Sequence, residues 1–88
     1  MKGMNELDKN VEITLLLDFY GNMLTERQRE IMTLYYEDNL SLSEVATELG
    51  ISKQGVADSI KRSEKTLYDT EAKLLLLKNH LEKGSNEE

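Results

Sequence analysis

The sequence predicts an all-α fold of four helices, with a helix-turn-helix at its centre and a long C-terminal helix. Three observations predict it. The 88 residues contain no proline, the residue that most strongly breaks helices, so helices are free to run long. Two segments, TERQ at 25–28 and SLSE at 41–44, read as capping boxes, in which a hydroxyl takes a free backbone N–H and the Gln or Glu reaches back. Around them, apolar residues recur at the three- and four-residue steps of a helix face.

The first helix is predicted over Glu6 to Tyr20. Leu7, Val11, Leu15 and Phe19 form an i, i+4 stripe, broadened by Leu16 and Tyr20. Gly21 follows where a left-handed C-terminal cap belongs. Thr25 opens the second helix, with Gln28 completing its box. Leu24 and Arg29 leave the hydrophobic staple incomplete. The apolar face is Ile31, Met32, Leu34 and Tyr35, and Asp38-Asn39 marks the exit turn.

Ser41 opens the third helix with Glu44. Leu42, Val45, Ala46 and Leu49 form its inward face, and Gly50 ends it. Ile51 plugs the angle of the turn Gly50-Ile51-Ser52, and Ser52 caps the fourth helix. A helix, a short glycine turn and a second helix make the arrangement that reads DNA in helix-turn-helix proteins.

The fourth helix shows no stop signal before Gly84. Continuous to that point, it spans roughly 45 Å at 1.5 Å per residue. Positions 56, 60, 63, 67, 70, 74, 77 and 81 hold Val, Ile, Ser, Leu, Thr, Leu, Leu and Leu. This is a heptad seam with two weak places. Either it buries against a partner, or its C-terminal half folds back on the first helix or bends as two helices. A homodimer is expected, through Leu67, Leu74, Leu77 and Leu81. Residues 1–83 form one domain, with a dimerisation extension over about 66–83 and a disordered tail at 84–88.

Composition narrows the function. The absence of cysteine excludes disulfides and thiolate metal sites. The N-terminus MKGMNELDKNVE is polar where a signal peptide carries an apolar stretch, and no apolar run approaches the ~20 residues that span a bilayer. A cytoplasmic protein without membrane contact is expected. No enzyme, metal or cofactor is expected either. His80 stands alone, Glu37-Asp38 and Glu87-Glu88 are turn and tail residues, and no glycine-rich phosphate loop occurs.

The net charge of −6 argues against non-specific attraction to phosphates. The charge is uneven, however. Residues 1–40 carry four basic against eight acidic groups, and residues 66–88 carry three against five. Residues 41–65 carry four of each. The helix-turn-helix is the least acidic segment, and the local field at a contact face counts for more than the total.

In such motifs the first turns of the second helix enter the major groove. Here they carry Ser52, Lys53, Gln54 and Gly55, followed by Asp58 and Ser59. Gln bonds adenine bidentately, and Lys donates to guanine or phosphate. Lys61, Arg62 and Lys65 are placed to hold the flanking backbone. The plainer readings are a cap for Ser52 and a solvated helix face for the three cations. Gly55 costs ~1 kcal/mol against Ala within a helix.

The stretches LLLDFYGNMLTERQ, LYYEDNLSLSEVA and ISKQGVADSIKRSEKTL, extended through EAKLLLLK, carry a resemblance. The helix-turn-helix resembles region 4 of the sigma-70 factors. Over roughly residues 13–78 the chain resembles, more closely, the YlxM family of bacterial helix-turn-helix proteins, which is tied to the signal recognition particle. The resemblance implies a regulator that binds double-stranded DNA. Its DNA-facing residues would be Ser52, Lys53, Gln54, Gly55, Ala57, Asp58, Lys61 and Arg62. The alternative, in second place, is an accessory of protein targeting that meets a protein or RNA component of the particle, with the helix-turn-helix as scaffold and the acidic face as the working surface. The chain departs from the family pattern at Lys53, Gly55, Ala57 and Ser59, where Arg, Ala, Tyr and Asn are expected. It also ends sooner after the long helix.

Overall fold

The structure is a computed structural model that describes the backbone over residues 2–87 and the side chains over residues 10–75. It is all-α, with no strand among the described residues. Helix α1 is Lys2–Tyr20, α2 is Glu26–Met32, α3 is Leu42–Leu49 and α4 is Lys53–Glu87.

The face that α1 buries is not its i, i+4 stripe. Ile13, Leu16 and Leu17 enter the core and Tyr20 packs against it, whereas Val11, Leu15 and Phe19 are 57%, 49% and 73% exposed. Leu7 lies outside the residues whose side chains are described. With apolar residues around most of its circumference, α1 has two candidate faces, and periodicity alone selects the wrong one.

Gly21 does not adopt the left-handed cap. It opens a single 3₁₀ turn, Gly21–Met23, closed by Leu24 N–H donating to the Gly21 carbonyl at 3.0 Å. Of Gly21, Gly50 and Gly55, only Gly50 has a positive φ. Gly21 is buried, and an added Cβ would meet the Arg29 Cδ at 3.4 Å, an ordinary contact with a flexible stem, so neither space nor backbone angle demands glycine there.

Both capping boxes form. Thr25 Oγ1 accepts from Gln28 N–H at 3.1 Å, and Gln28 Oε1 accepts from Thr25 N–H at 3.0 Å. Ser41 Oγ and Glu44 Oε1 repeat the exchange at 3.1 and 2.9 Å. Each box satisfies two N–H groups that a helix start leaves without partners. Beyond Met32, α2 widens into a π-helical turn over Thr33–Glu37, closed by Asp38 N–H on the Thr33 carbonyl at 2.9 Å. Tyr35 and Tyr36 meet edge to face within it, their centroids 5.0 Å apart. Asn39 makes the exit turn with φ 64°, a conformation asparagine tolerates.

Gly50 ends α3 at φ 68°, and Ile51 N–H donates back to the Ala46 carbonyl at 3.1 Å. This six-residue closure satisfies a carbonyl that the helix end would otherwise leave open. Ser52 then caps α4, its Oγ accepting from Gly55 N–H at 2.9 Å.

Helix α4 is a single helix of 35 residues. It neither folds back nor breaks, and it passes Gly84, the expected stop, so the predicted tail at 84–87 is helical. Its length of roughly 52 Å nearly matches the 57 Å long axis of the molecule. The first half of the seam, Val56, Ile60, Ser63 and Leu67, is buried in the core with Ile31, Met32 and Val45. Leu67 is fully enclosed by its own chain. It therefore presents nothing to a second copy, contrary to its place in the expected dimer seam. Leu74 is 46% exposed, while Leu77 and Leu81 lie outside the described side chains.

Three tyrosines tie α4 to the body. Tyr20 donates to Glu71 Oε1 at 2.7 Å and Tyr68 donates to Glu12 Oε1 at 3.0 Å, both joining α1 to α4. Tyr36 donates to Glu64, joining the π-turn to α4. Hydrogen bonds to a charged acceptor are stronger than neutral ones.

Candidate nucleic-acid interface

The geometry of the site follows from how α4 is held. Its core side is fixed by Val56, Ile60, Ser63 and Leu67, all buried. A helix turns about 100° per residue, so Gln54, Asp58, Lys61, Arg62 and Lys65 fall on the opposite side. All five are exposed. Ser52 and Lys53 are exposed at the helix start, while Gly55, Ala57 and Ser59 sit half-buried on the flanks.

Ser52 does what capping chemistry requires of it. Its hydroxyl oxygen accepts from Gly55 N–H, so the cap uses its acceptor side and leaves its O–H able to donate. Gly55 has a local reason as well. A Cβ there would approach the Ser52 Oγ to 3.1 Å, tight enough to press on the cap. The glycine keeps the first turn of α4 uncrowded where the cap hydroxyl crosses it.

Two charges temper the basic side. Lys65 Nζ lies 3.1 Å from Asp69 Oδ2 one turn further on, both exposed. Such a pair contributes little to stability, yet it places a carboxylate beside the cation. Asp58 stands between Gln54 and Lys61 on the same side. Lys53, Lys61 and Arg62 are thus the cations of the expected set that form no ion pair among the described residues. Across the turn, Ser43, Glu44, Thr47 and Glu48 expose a polar, acidic side of α3.

The sequence did not reveal the supports behind this side. The tyrosine–glutamate bonds link residues 28, 51 and 56 positions apart. Nothing in local spacing pairs them. Burial and the Glu64 carboxylate push the Tyr36 hydroxyl above its ordinary value near 10. The bond to Glu71 raises Tyr20, and burial followed by the bond to Glu12 raises Tyr68. Each phenol holds its proton longer than it would in water, because burial and the hydrogen bond it donates both favour the protonated form, and the carboxylate's charge adds to this.

A capped helix, a left-handed glycine turn and a second capped helix whose outer side is polar define a helix-turn-helix protein. Comparison with known sequences agrees. A family model described as "Putative helix-turn-helix protein, YlxM / p13 like" matches residues 7–86, and the chain belongs to this family, UPF0122. A UPF0122 protein of Halalkalibacterium halodurans is 51% identical over 71 residues, covering 81% of this chain and 65% of its own length. UPF0122 proteins of Bacillus cereus AH187 and Bacillus anthracis A0248 are each 47% identical over 77 residues, covering 88% of this chain and 70% of theirs. The chain therefore spans about two-thirds of the length of these relatives.

No helix among the described residues is long and apolar enough to cross a membrane. His80 lies outside the described side chains.

Proposed function

We propose that this chain is a DNA-binding regulatory protein that acts in the cytoplasm and reads double-stranded DNA with the N-terminal turns of α4. One observation carries the reading. The side of α4 opposite its buried seam presents Gln54, Lys61 and Arg62 to solvent together, with Lys53 at the helix start. Gln54 supplies paired donor and acceptor for an adenine edge, and Lys53 supplies a donor. Lys61 and Arg62, two turns on, suit phosphates and so set register without sequence preference.

The test is the salt dependence of duplex binding. Fluorescence anisotropy with a labelled duplex library, repeated from low to physiological salt, should show affinity falling steeply and log-linearly with salt. No binding at low salt would refute the reading.

A second reading is supported by the exposed acids Glu44, Glu48 and Asp58 around the same surface and by the net charge of −6. In it, the helix-turn-helix is a scaffold, and the acidic surface meets a protein or RNA component of the signal recognition particle pathway. Capture of such a component by a protein without duplex affinity would favour it.

A further inference from the structure

We propose that a second copy of this chain docks on the outer side of α1, with the exposed stretch of α4 beyond Leu67 as its counterpart. The stripe Val11, Leu15 and Phe19 runs along α1 directly away from the core, and Met23 continues it, 62% exposed. At the Phe19 end, Tyr20 is bonded to Glu71 at 2.7 Å. One turn further along α4 come Leu74 and Leu75, the latter 50% exposed. Phe19 and Leu74 thus each lie within about a turn of the Tyr20–Glu71 contact, on separate helices.

The amount of surface points to a macromolecular occupant. These six side chains leave on the order of 600 Å² of apolar surface open. Summed over both helices, it approaches the ~800 Å² that each partner buries in a stable pair.

Charge points to a second copy. Between residues 10 and 20, α1 carries Glu12 and Asp18 and no cation. Beside Leu74 stands the exposed Lys73. The α1 stripe of one copy, rimmed by Asp18, matches Leu74 and Leu75 of α4, beside Lys73, on the other. A two-fold axis makes this contact twice. The pairing leaves Lys53, Gln54, Lys61 and Arg62 uncovered, because they lie roughly 16 Å or more nearer the start of α4 than Lys73 at 1.5 Å per residue, and it does not depend on whether they bind DNA.

Sedimentation equilibrium of the whole chain, without nucleic acid, tests the proposal. The expected result is a dimer at tens of micromolar. Leu15→Asp with Phe19→Asp should give a monomer over the same range, with helical circular dichroism retained because both positions are exposed. Asp18→Lys alone and Lys73→Asp alone should each weaken association by about tenfold, since a two-fold dimer holds the pair twice. The two together should restore it. If the aspartate variant fails to fold, the charge exchange still decides. A monomeric wild type, a dimer that survives the Leu15→Asp and Phe19→Asp substitutions together, or charge reversals without effect would each overturn the proposal.

Discussion

Ser63 should be improved by losing its hydroxyl. It sits in α4 with no solvent exposure, between Ile60 and Leu67 on the buried seam, and its Oγ has no hydrogen-bond partner. A buried polar group left unpaired costs about 1–3 kcal/mol. Ser63→Ala removes that cost and adds a few tenths of a kcal/mol of helix propensity. It gives up only the packing of one oxygen, so the volume change is too small for a large cavity penalty. The expected gain is about 1–2 kcal/mol. For a domain of this size each kcal/mol moves the melting temperature by about 4–8 °C, so a rise of about 5–10 °C should appear by circular dichroism, with a higher urea midpoint at unchanged slope. Ser63→Leu should do the opposite, because the seam has no room for three more carbons. A melting temperature that stays level or falls in Ser63→Ala would refute the reasoning. It would mean that the hydroxyl is satisfied in solution and contributes to the fold.

The three tyrosine–glutamate bonds should make stability fall at alkaline pH. Their phenols are raised above the unfolded value near 10, so their contribution is fully present below that pH and is lost as pH climbs through the folded values. Melting temperature should be flat from neutral to about pH 9 and drop beyond about pH 10. Tyr36→Phe should cost about 1–2 kcal/mol at neutral pH and make the alkaline drop shallower, as read by melting curves across pH. For the proposed interface, Lys61→Ala or Arg62→Ala should weaken binding uniformly across sequences and reduce the salt slope by about one unit. An altered sequence preference at constant slope would contradict their phosphate role.

The sequence made local chemistry legible and left long-range choice obscure. Both capping boxes, the Gly50 stop and the Ser52 cap could be read because each is decided within a few residues. The face of α1 could not. Val11, Leu15 and Phe19 compete with Ile13, Leu16 and Leu17, and the winner is decided by where α4 lands. The bonds Tyr20–Glu71 and Tyr68–Glu12 fix that landing, and sequence spacing carries no trace of them. Leu67 was misplaced for a related reason: a heptad seam looks the same whether it buries into its own domain or against another chain. Here it does the first as far as Leu67, and it is open to solvent at Leu74. Gly21 matched helix-ending grammar, yet it opens a 3₁₀ turn without the left-handed conformation that the grammar assumes. Of the candidate interface, the exposure of Lys53, Gln54, Lys61 and Arg62 followed from the helix register. The pairing of Lys65 with Asp69 needed side-chain geometry.

Gln54 offers the most direct test of reading by α4. A preferred site is first selected from random duplexes. Wild type and Gln54→Ala are then titrated against that site and a scrambled one, at one fixed salt concentration. Being exposed at a helix start, Gln54 should be replaceable with the melting temperature nearly unchanged. Affinity for the selected site should fall by about 1–3 kcal/mol, with preference relaxed at one base pair and scrambled-site affinity steady. A wild type that binds both sites equally would contradict readout by α4.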